Sequence, residues 1–372
     1  MGPLCVETVQ GSLSMFWILL ACTEVSLAPG EWLAGDLHVH SSVGSDDTDG
    51  KGTLEALAPA MQRAGLDWVV LTDHSNGTGS MHCDDVELCP NQGPEGTSGI
   101  WPSNVYMGSE ISPVAALGAP NEPTGHIGCI SPNGRGFEAT LIFEDRPTGT
   151  VTGGDALAQC HAANGYGILN HPFGPAPWVA YDWTSEAYDA MEVYNGGARF
   201  DATDAQAVVK WEEDLAAGKR VLPVGGSDSH QWGQLDPTNL LAPPLGWPVT
   251  WVHVRKDETP LDALFAGRIV IAEPGTSLRI EAAGRRKVVG PGESIRGTVR
   301  ITLQASTVSA ERVLELRRIG DGTVGVWTLG EDELSVTVEA QSGIYYARVY
   351  PVGGEVLLGE AGIALTAPIW VE

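Results

Sequence analysis

The chain has 372 residues, more than one ordinary domain needs and comfortable for two, and its 43% hydrophobic content can fill a sizeable core. Lysine and arginine number 21 against 47 acids, a formal charge of −26. That balance argues against nucleic acid or an anionic membrane surface as partner, since phosphate binding needs a positive footprint, and it supplies carboxylates that could hold cations.

In chain order, residues 1–33 read as a leader and linker. Met15-Phe16-Trp17-Ile18-Leu19-Leu20-Ala21 is apolar but too short to span a bilayer, as in the core of a signal peptide. Its end, Leu19-Leu20-Ala21-Cys22, resembles a bacterial lipobox, which makes Cys22 a lipidation candidate and the protein an exported one, periplasmic or at the cell surface. No Lys or Arg precedes the run, and Glu7 does.

From about residue 34 to 275, strand-like and helix-like stretches alternate. The expected strands are 35–41, 67–73, 105–111, 125–131, 166–171, 190–194, 220–225 and 247–255. The expected helices are 53–64, 154–163, 201–217 and 260–266. Such alternation implies an α/β fold with a parallel sheet, and this many units implies a closed barrel. Residues 276–372 change texture. Short alternating segments separated by Gly, Asp and Pro predict a small all-β, sandwich-like domain without histidine or cysteine.

The chemistry-bearing residues fall at the ends of the barrel strands, where side chains of different strands converge. His38-Val39-His40 puts two imidazoles on one face of a strand, because strand side chains repeat every two residues. Asp46 and Asp47 follow closely. The apolar run 68–71 delivers Thr72-Asp73-His74, where Asp73 is placed to orient a ligand imidazole. Glu110 offers a carboxylate able to bridge two cations. His126 and His171 sit in the same way, with Pro172 ending its strand at the ligand. Glu192 also falls at a strand end. Gly225-Gly226-Ser227-Asp228-Ser229-His230 presents Asp228 and His230 with ligand spacing, and its glycines allow a close backbone approach to a substrate or ion. His82, His161 and His253 lie outside the pattern. His161 reads as a surface residue of a helix, and His82 as one that rims the site.

Cys83 and Cys89 bracket an acidic loop, and in an exported protein they would be joined as a disulfide. The alternative, a metal-binding pair, matches no common zinc spacing. Cys129 and Cys160 sit in apolar contexts and read as buried free thiols.

The series DLHVH, TDH, SE, GHI, NHP and GSDSH resembles, in order, the motifs of the PHP (polymerase and histidinol phosphatase) superfamily of metal-dependent hydrolases, over roughly residues 34–275. Gly-Asp-Leu-His-Val-His at 35–40, Glu192-Val193-Tyr194-Asn195-Gly196 and the tail Ala367-Pro368-Ile369-Trp370-Val371 look closest to its carbaryl-hydrolase-like group, the CehA/McbA metallohydrolases. The resemblance implies a distorted (β/α)7 barrel holding two or three divalent ions. Its ligands map onto His38, His40, Asp46 (with Asp47 as the alternative), His74, Glu110, His126, His171, Asp228 and His230.

Nitrogen and oxygen donors without thiolate suit Zn, Mn or Fe. The implied chemistry is hydrolysis by a metal-activated water, with Glu110, Asp228 and His230 as the catalytic set and Asp228 or His230 managing the proton. The subgroup implies small carboxyl or carbamoyl esters or amides. The superfamily at large implies phosphoesters, which usually recruit Arg or Lys. Asn195 and Arg199 are candidate substrate-binding residues, and Arg135 is a further candidate for phosphate. Trp178, Trp183 and Trp232 near strand ends favour an apolar or aromatic substrate. A metal-binding exported protein without turnover is a third reading. Lost ligands would mark it, and none is lost. The sequence sets no oligomeric state.

Overall fold

The computed structural model describes residues 26–372 apart from 43, 46–47, 75–101, 112–124, 135–152, 175–186, 197–199, 237–238, 240–241, 310, 331 and 353–362. Cys22, Asp46, Asp47, His82, Cys83, Cys89, Arg135, Trp178, Trp183 and Arg199 therefore lie outside the described residues.

The first half is mixed α/β. Its elements are β1 (Gly30–Val39), α1 (Leu54–Ala64), β2 (Trp68–Leu71), β3 (Val105–Ile111), β4 (His126–Ile130), α2 (Gly153–Ala162), β5 (Tyr166–Asn170), β6 (Ala190–Asn195), α3 (Ala202–Ala216) and β7 (Leu222–Gly226). Strands β1 to β7 lie side by side in sequence order. The segment after β7 returns to β1: the Asp228 N–H donates to His38 O at 2.9 Å, and the His40 N–H donates to Ser229 O at 3.0 Å. Strands β2, β3 and β5 to β7 are almost continuously buried, as expected where both faces of a sheet are covered.

One feature differs from the regular alternation read in the sequence. β4 runs antiparallel to both β3 and β5. An antiparallel neighbour needs no crossover helix. It also reverses which end faces the site, so His126 reaches the common mouth as the first residue of its strand.

β1 begins at Gly30, so residues 30–33, expected in the linker, form its outer half. Gly30–Gly35 pair antiparallel with β8 (Val249–Arg255), and Gly35–Val39 pair parallel with β2. Gly35 is required at this changeover: a Cβ there would sit 1.9 Å from the Trp68 ring. The sheet continues through β8, followed by α4 (Pro260–Phe265), and β9 (Ile269–Ala272), into the C-terminal strands.

Those strands are β10 (Thr276–Ala283), β11 (Val288–Val289), β12 (Ser294–Ile295), β13 (Val299–Thr307), β14 (Arg312–Arg318), β15 (Gly322–Leu329), β16 (Leu334–Ala340), β17 (Gly343–Pro351), β18 (Ala364–Thr366) and β19 (Ile369–Val371). β10, β11, β13 and β16 form a four-stranded sheet. It faces the continuation of the large sheet across an apolar core that includes Leu278, Ile280, Leu303, Leu314, Leu316, Val349 and Ile369. Alternating burial along β10 and β13 marks strands with one face inward. β15 is the most exposed of these strands, with Val324 and Val326 outward and Trp327 and Leu329 turned to the core.

Cys129 of β4 and Cys160 of α2 are joined as a disulfide, which corrects their reading as free thiols. They are 31 residues apart in sequence, and only the packing of α2 on β4 brings them together. His161, by contrast, is exposed, as expected, and pairs with Asp189.

Candidate metal centre

Eight side chains from six strand ends converge in three overlapping groups of metal-ligand geometry. His38, His40, Glu110 and Asp228 form the middle group. Glu110, His126 and His171 lie to one side. His40, His74 and His230 lie to the other. In each group the donor atoms lie within 4.8 Å of one another. The structure thus brings together every expected ligand among the described residues; Asp46 lies outside them.

Glu110 is the hub. Its Oε1 lies 3.1 Å from His38 Nε2, 2.9 Å from His126 Nδ1 and 3.2 Å from His171 Nε2. Its Oε2 lies 3.4 Å from His40 Nε2 and 3.2 Å from His74 Nδ1. Asn170 Nδ2 donates to Oε1 at 3.0 Å. Asp228 Oδ1 sits 3.3 Å from His38 Nε2 and 3.2 Å from His40 Nε2. Yet neither of those Nε2 atoms makes a hydrogen bond, although both are buried. The same two nitrogens lie within 4.8 Å of the Glu110 and Asp228 carboxylate oxygens, close enough for one cation to be shared among them. A buried polar atom without a partner is costly, and a cation shared there removes the cost.

The outward ring nitrogens fix the tautomers. His38 Nδ1 donates to Glu192 Oε1 at 3.1 Å. His40 Nδ1 donates to Ser45 Oγ at 3.1 Å, because the Ser45 hydroxyl itself donates to Asp73 Oδ1 at 2.9 Å. His230 Nδ1 donates to its neighbour's carbonyl, Asp228 O, at 2.9 Å. All three imidazoles are thereby left with an Nε2 lone pair for a metal, the arrangement in which outer partners raise ligand basicity. Asp73, expected to orient an imidazole, reaches His40 through the Ser45 hydroxyl, and the Ser41 N–H and hydroxyl in turn donate to Asp73.

Glu192 received no role from the sequence, and it is a main support of the site. Besides His38 it accepts from the His171 N–H at 2.8 Å and from Asn195 Nδ2 at 3.0 Å. Asn195, expected to bind substrate, holds Glu192 with its amide and also lies on the wall of a cavity that opens beside the centre. The available signal was a carboxylate inside a buried strand, Ala190–Asn195, where it must be paired.

The backbone is bent to fit. His171 and Asp228 have positive φ, 26° and 53°, a conformation disfavoured for residues with a Cβ and typical of functional positions. Gly226 makes the approach possible, since a Cβ there would lie 2.4 Å from His38 Cβ and 2.8 Å from Glu192 Oε1. That glycine was expected to admit a substrate or ion. It admits the neighbouring strand instead. Trp232, read as a substrate wall, is 1% exposed and packs in the core.

Burial and neighbours set the protonation states. Burial, with His230 and His74 close by, lowers His40 to about 3. Burial lowers His126 to about 4, against the pull of Glu110. Burial pushes the Glu110 carboxyl up, but His126 and His38 overcome it and hold it well below the usual range. Asp228 behaves likewise, held down chiefly by His38. Burial would lower His38, but Asp228, Glu110 and Glu192 hold it well above its ordinary value. His171 is also raised: the Glu110 hydrogen bond and charge outweigh burial. Beneath the centre Asp36 accepts from the Ser227 and Gly246 N–H groups and ties β1 to the return segment; burial raises it to about 6.

No protein-family model and no curated protein matches the chain. Among solved structures it is similar to a two-domain protein from Bacteroides vulgatus ATCC 8482, described as containing a predicted PHP-like metal-dependent phosphoesterase. The TM-score is 0.43 at 18% identity, covering 92% of this chain and 97% of that one. What the geometry itself offers in this region is a buried cluster of histidine and carboxylate donors in three overlapping groups, a donor set that suggests a site for more than one metal ion.

Proposed function

We propose that the chain is a metal-dependent hydrolase of small-molecule carboxyl or carbamoyl esters or amides, working on a di- or trinuclear centre. The observation that carries this is Glu110, one buried carboxylate shared between two adjacent ligand groups. Shared carboxylates set cations a few ångströms apart, the spacing used for displacements at carbonyl or phosphoryl centres. His38, His40, Glu110 and Asp228 would hold such ions, whose chemistry would be to lower the pKa of water and offset negative charge developing on oxygen.

The protein's own part is to shape and polarise the site. A cavity of about 440 Å³ opens beside the centre, within the range that suits small-molecule ligands. His171, Asp228 and His230 line it on the metal side, and Phe173, Ala207 and Pro243 give it apolar walls. Asp228 and His230 have side chains 25% and 18% exposed, whereas His38, His40 and Glu110 are sealed at 1% or less. The two exposed ligands are therefore the groups in reach of a substrate proton. Glu192, Asp201, Asp204 and Asp228 also line the cavity, and a wall so rich in acids favours a neutral carbonyl substrate over an anionic phosphoester. The order β1 to β7, with the return from β7 to β1, supports reading this region as the distorted (β/α)7 barrel.

The test is metal analysis followed by turnover of p-nitrophenyl acetate, 1-naphthyl N-methylcarbamate and p-nitrophenyl phosphate. We expect bound divalent metal, and ester or carbamate turnover that is lost on chelation and restored by Zn, Mn or Fe. Turnover of the phosphate alone would reverse the substrate assignment. Absence of bound metal would overturn the whole proposal.

A further inference from the structure

The charge of −26 is unevenly spread. β10 and β11 pair through Ala282–Val289 and Ala283–Val288, and the turn between them carries Arg285, Arg286 and Lys287, all exposed. The Gly284 N–H donates to Lys287 O at 2.9 Å and closes that turn. Together with Arg296, whose side chain is 87% exposed, these three line an open depression of about 510 Å³. Arg220 adds a fifth cation, donating to Ser294 Oγ in the same wall. Glu372, paired with Arg296, is the one acid among the described lining residues. Lys287 Nζ donates to Ser294 O at 3.4 Å, whereas Arg285 and Arg286 make no ion pair among the described residues, so no ion pair of the fold calls for the two arginines there. Like charges at a turn tip repel one another, and a counter-surface relieves that repulsion.

The chain enters the described structure at the same end. Leu27 packs on Gly290, just beyond β11: a Cβ on Gly290 would lie 3.4 Å from Leu27 Cδ1. Cys22 lies five positions before Leu27, a stretch that spans at most roughly 18 Å when fully extended. An acyl group on Cys22 would hold the basic turn close to the bilayer surface. Stable membrane residence takes two signals, such as an acyl group and a polybasic patch.

We propose that this basic end is a docking surface for the anionic lipid headgroups of the membrane that carries the protein. It is independent of the chemistry at the metal centre. Overall charge argued against an anionic surface as partner; the local distribution supplies the positive footprint that overall charge lacks.

The experiment uses the full chain carrying Cys22→Ser, so that no acyl group contributes. Binding to vesicles of phosphatidylglycerol and phosphatidylcholine is compared by co-sedimentation with binding to vesicles of phosphatidylcholine alone. The ratio of the two affinities is the readout, so an apolar leader that inserts equally into both cancels. Each cation near an anionic surface contributes about five-fold. We expect a ratio of at least about ten that falls with added salt. Arg285→Glu with Arg286→Glu and Lys287→Glu brings it towards one, leaving metal content and ester turnover unchanged. Arg285→Gln with Arg286→Gln, a gentler change, gives a smaller loss in the same direction. A ratio near one in the parent, or one that neither variant alters, overturns the proposal. So does retention on double-stranded DNA without preference for the anionic vesicles.

Discussion

Glu110 in the metal centre and Glu315 in the C-terminal β region are buried to the same degree, each 1% exposed, in opposite company. Glu315 meets two guanidinium groups, Arg317 Nη1 at 3.2 Å and Arg348 Nε at 2.6 Å, and accepts from the Thr323 hydroxyl. Burial pushes its carboxyl up, and Thr323 and Arg348 hold it below its ordinary value. Permanent cations satisfy it within the chain. Glu110 has five imidazoles within 3.4 Å and no Lys or Arg among its described partners. Imidazole is a conditional cation: it either carries a proton or offers a lone pair. A carboxylate needed only for the fold is neutralised by arginine. One surrounded by histidine can exchange protons for metal ions, and that difference separates the working end of the molecule from its scaffold.

The largest expected effect breaks this comparison in two. Glu110→Gln should empty both ligand groups that share it. It should lower hydrolysis roughly 10³-fold, since the charge stabilisation lost is several kcal/mol. Elemental analysis and steady-state rates read both. Glu315→Gln should leave metal content and rate unchanged and lower stability by about 1.5–3 kcal/mol in denaturant titration, the worth of hydrogen bonds to charged groups. Metal loss in the second variant, or none in the first, would erase the distinction.

A smaller effect tests the support beneath the ligands. Glu192→Gln keeps the shape but removes the charge behind His38, and metal affinity should fall about 10- to 100-fold while saturating metal restores binding. A competition titration with a chromophoric chelator measures it.

The smallest effect concerns protons. In the metal-free protein the raised His38 and His171 keep their protons to higher pH than an ordinary imidazole, while His40 and His126 are already neutral above about pH 3 and 4. Metal must displace the protons on the first pair. Loading should therefore release protons, and affinity should weaken as pH falls and protons compete. Calorimetry in buffers of different ionisation enthalpy counts them. Release of none would mean that the imidazoles are neutral before metal arrives.

Most of the centre was legible because of where its residues stand in strands. An apolar run ending in histidine or a carboxylate has one physical sense, a buried strand delivering a donor to its end, and that located His38, His40, His74, Glu110, His171, Asp228 and His230. His126 was found by the same rule although its strand runs the other way, since periodicity carries no direction. The roles of Glu192, Ser45 and Asn195 were not legible. They depend on which strands become neighbours, and a hydrogen bond between residues 38 and 192 leaves no local trace. The Cys129–Cys160 bridge was hidden for the same reason, and Trp232 was misassigned because an aromatic near a strand end looks alike whether it packs inward or lines a cavity.

The ladder from β9 to β18 has a consequence for anyone who would shorten this protein. Ala364, Leu365 and Thr366 pair with Ala272, Ile271 and Val270, on the far side of the boundary suggested by the change in sequence texture. A chain ended after Gly275 would not be a smaller version of the same fold. It would present β9 as a bare edge, with Val270 and Ala272 stripped of the core they share with the C-terminal strands, an open template for pairing with other copies of itself. The histidine-free C-terminal strands are, in that sense, the seal on the sheet that carries the metal site.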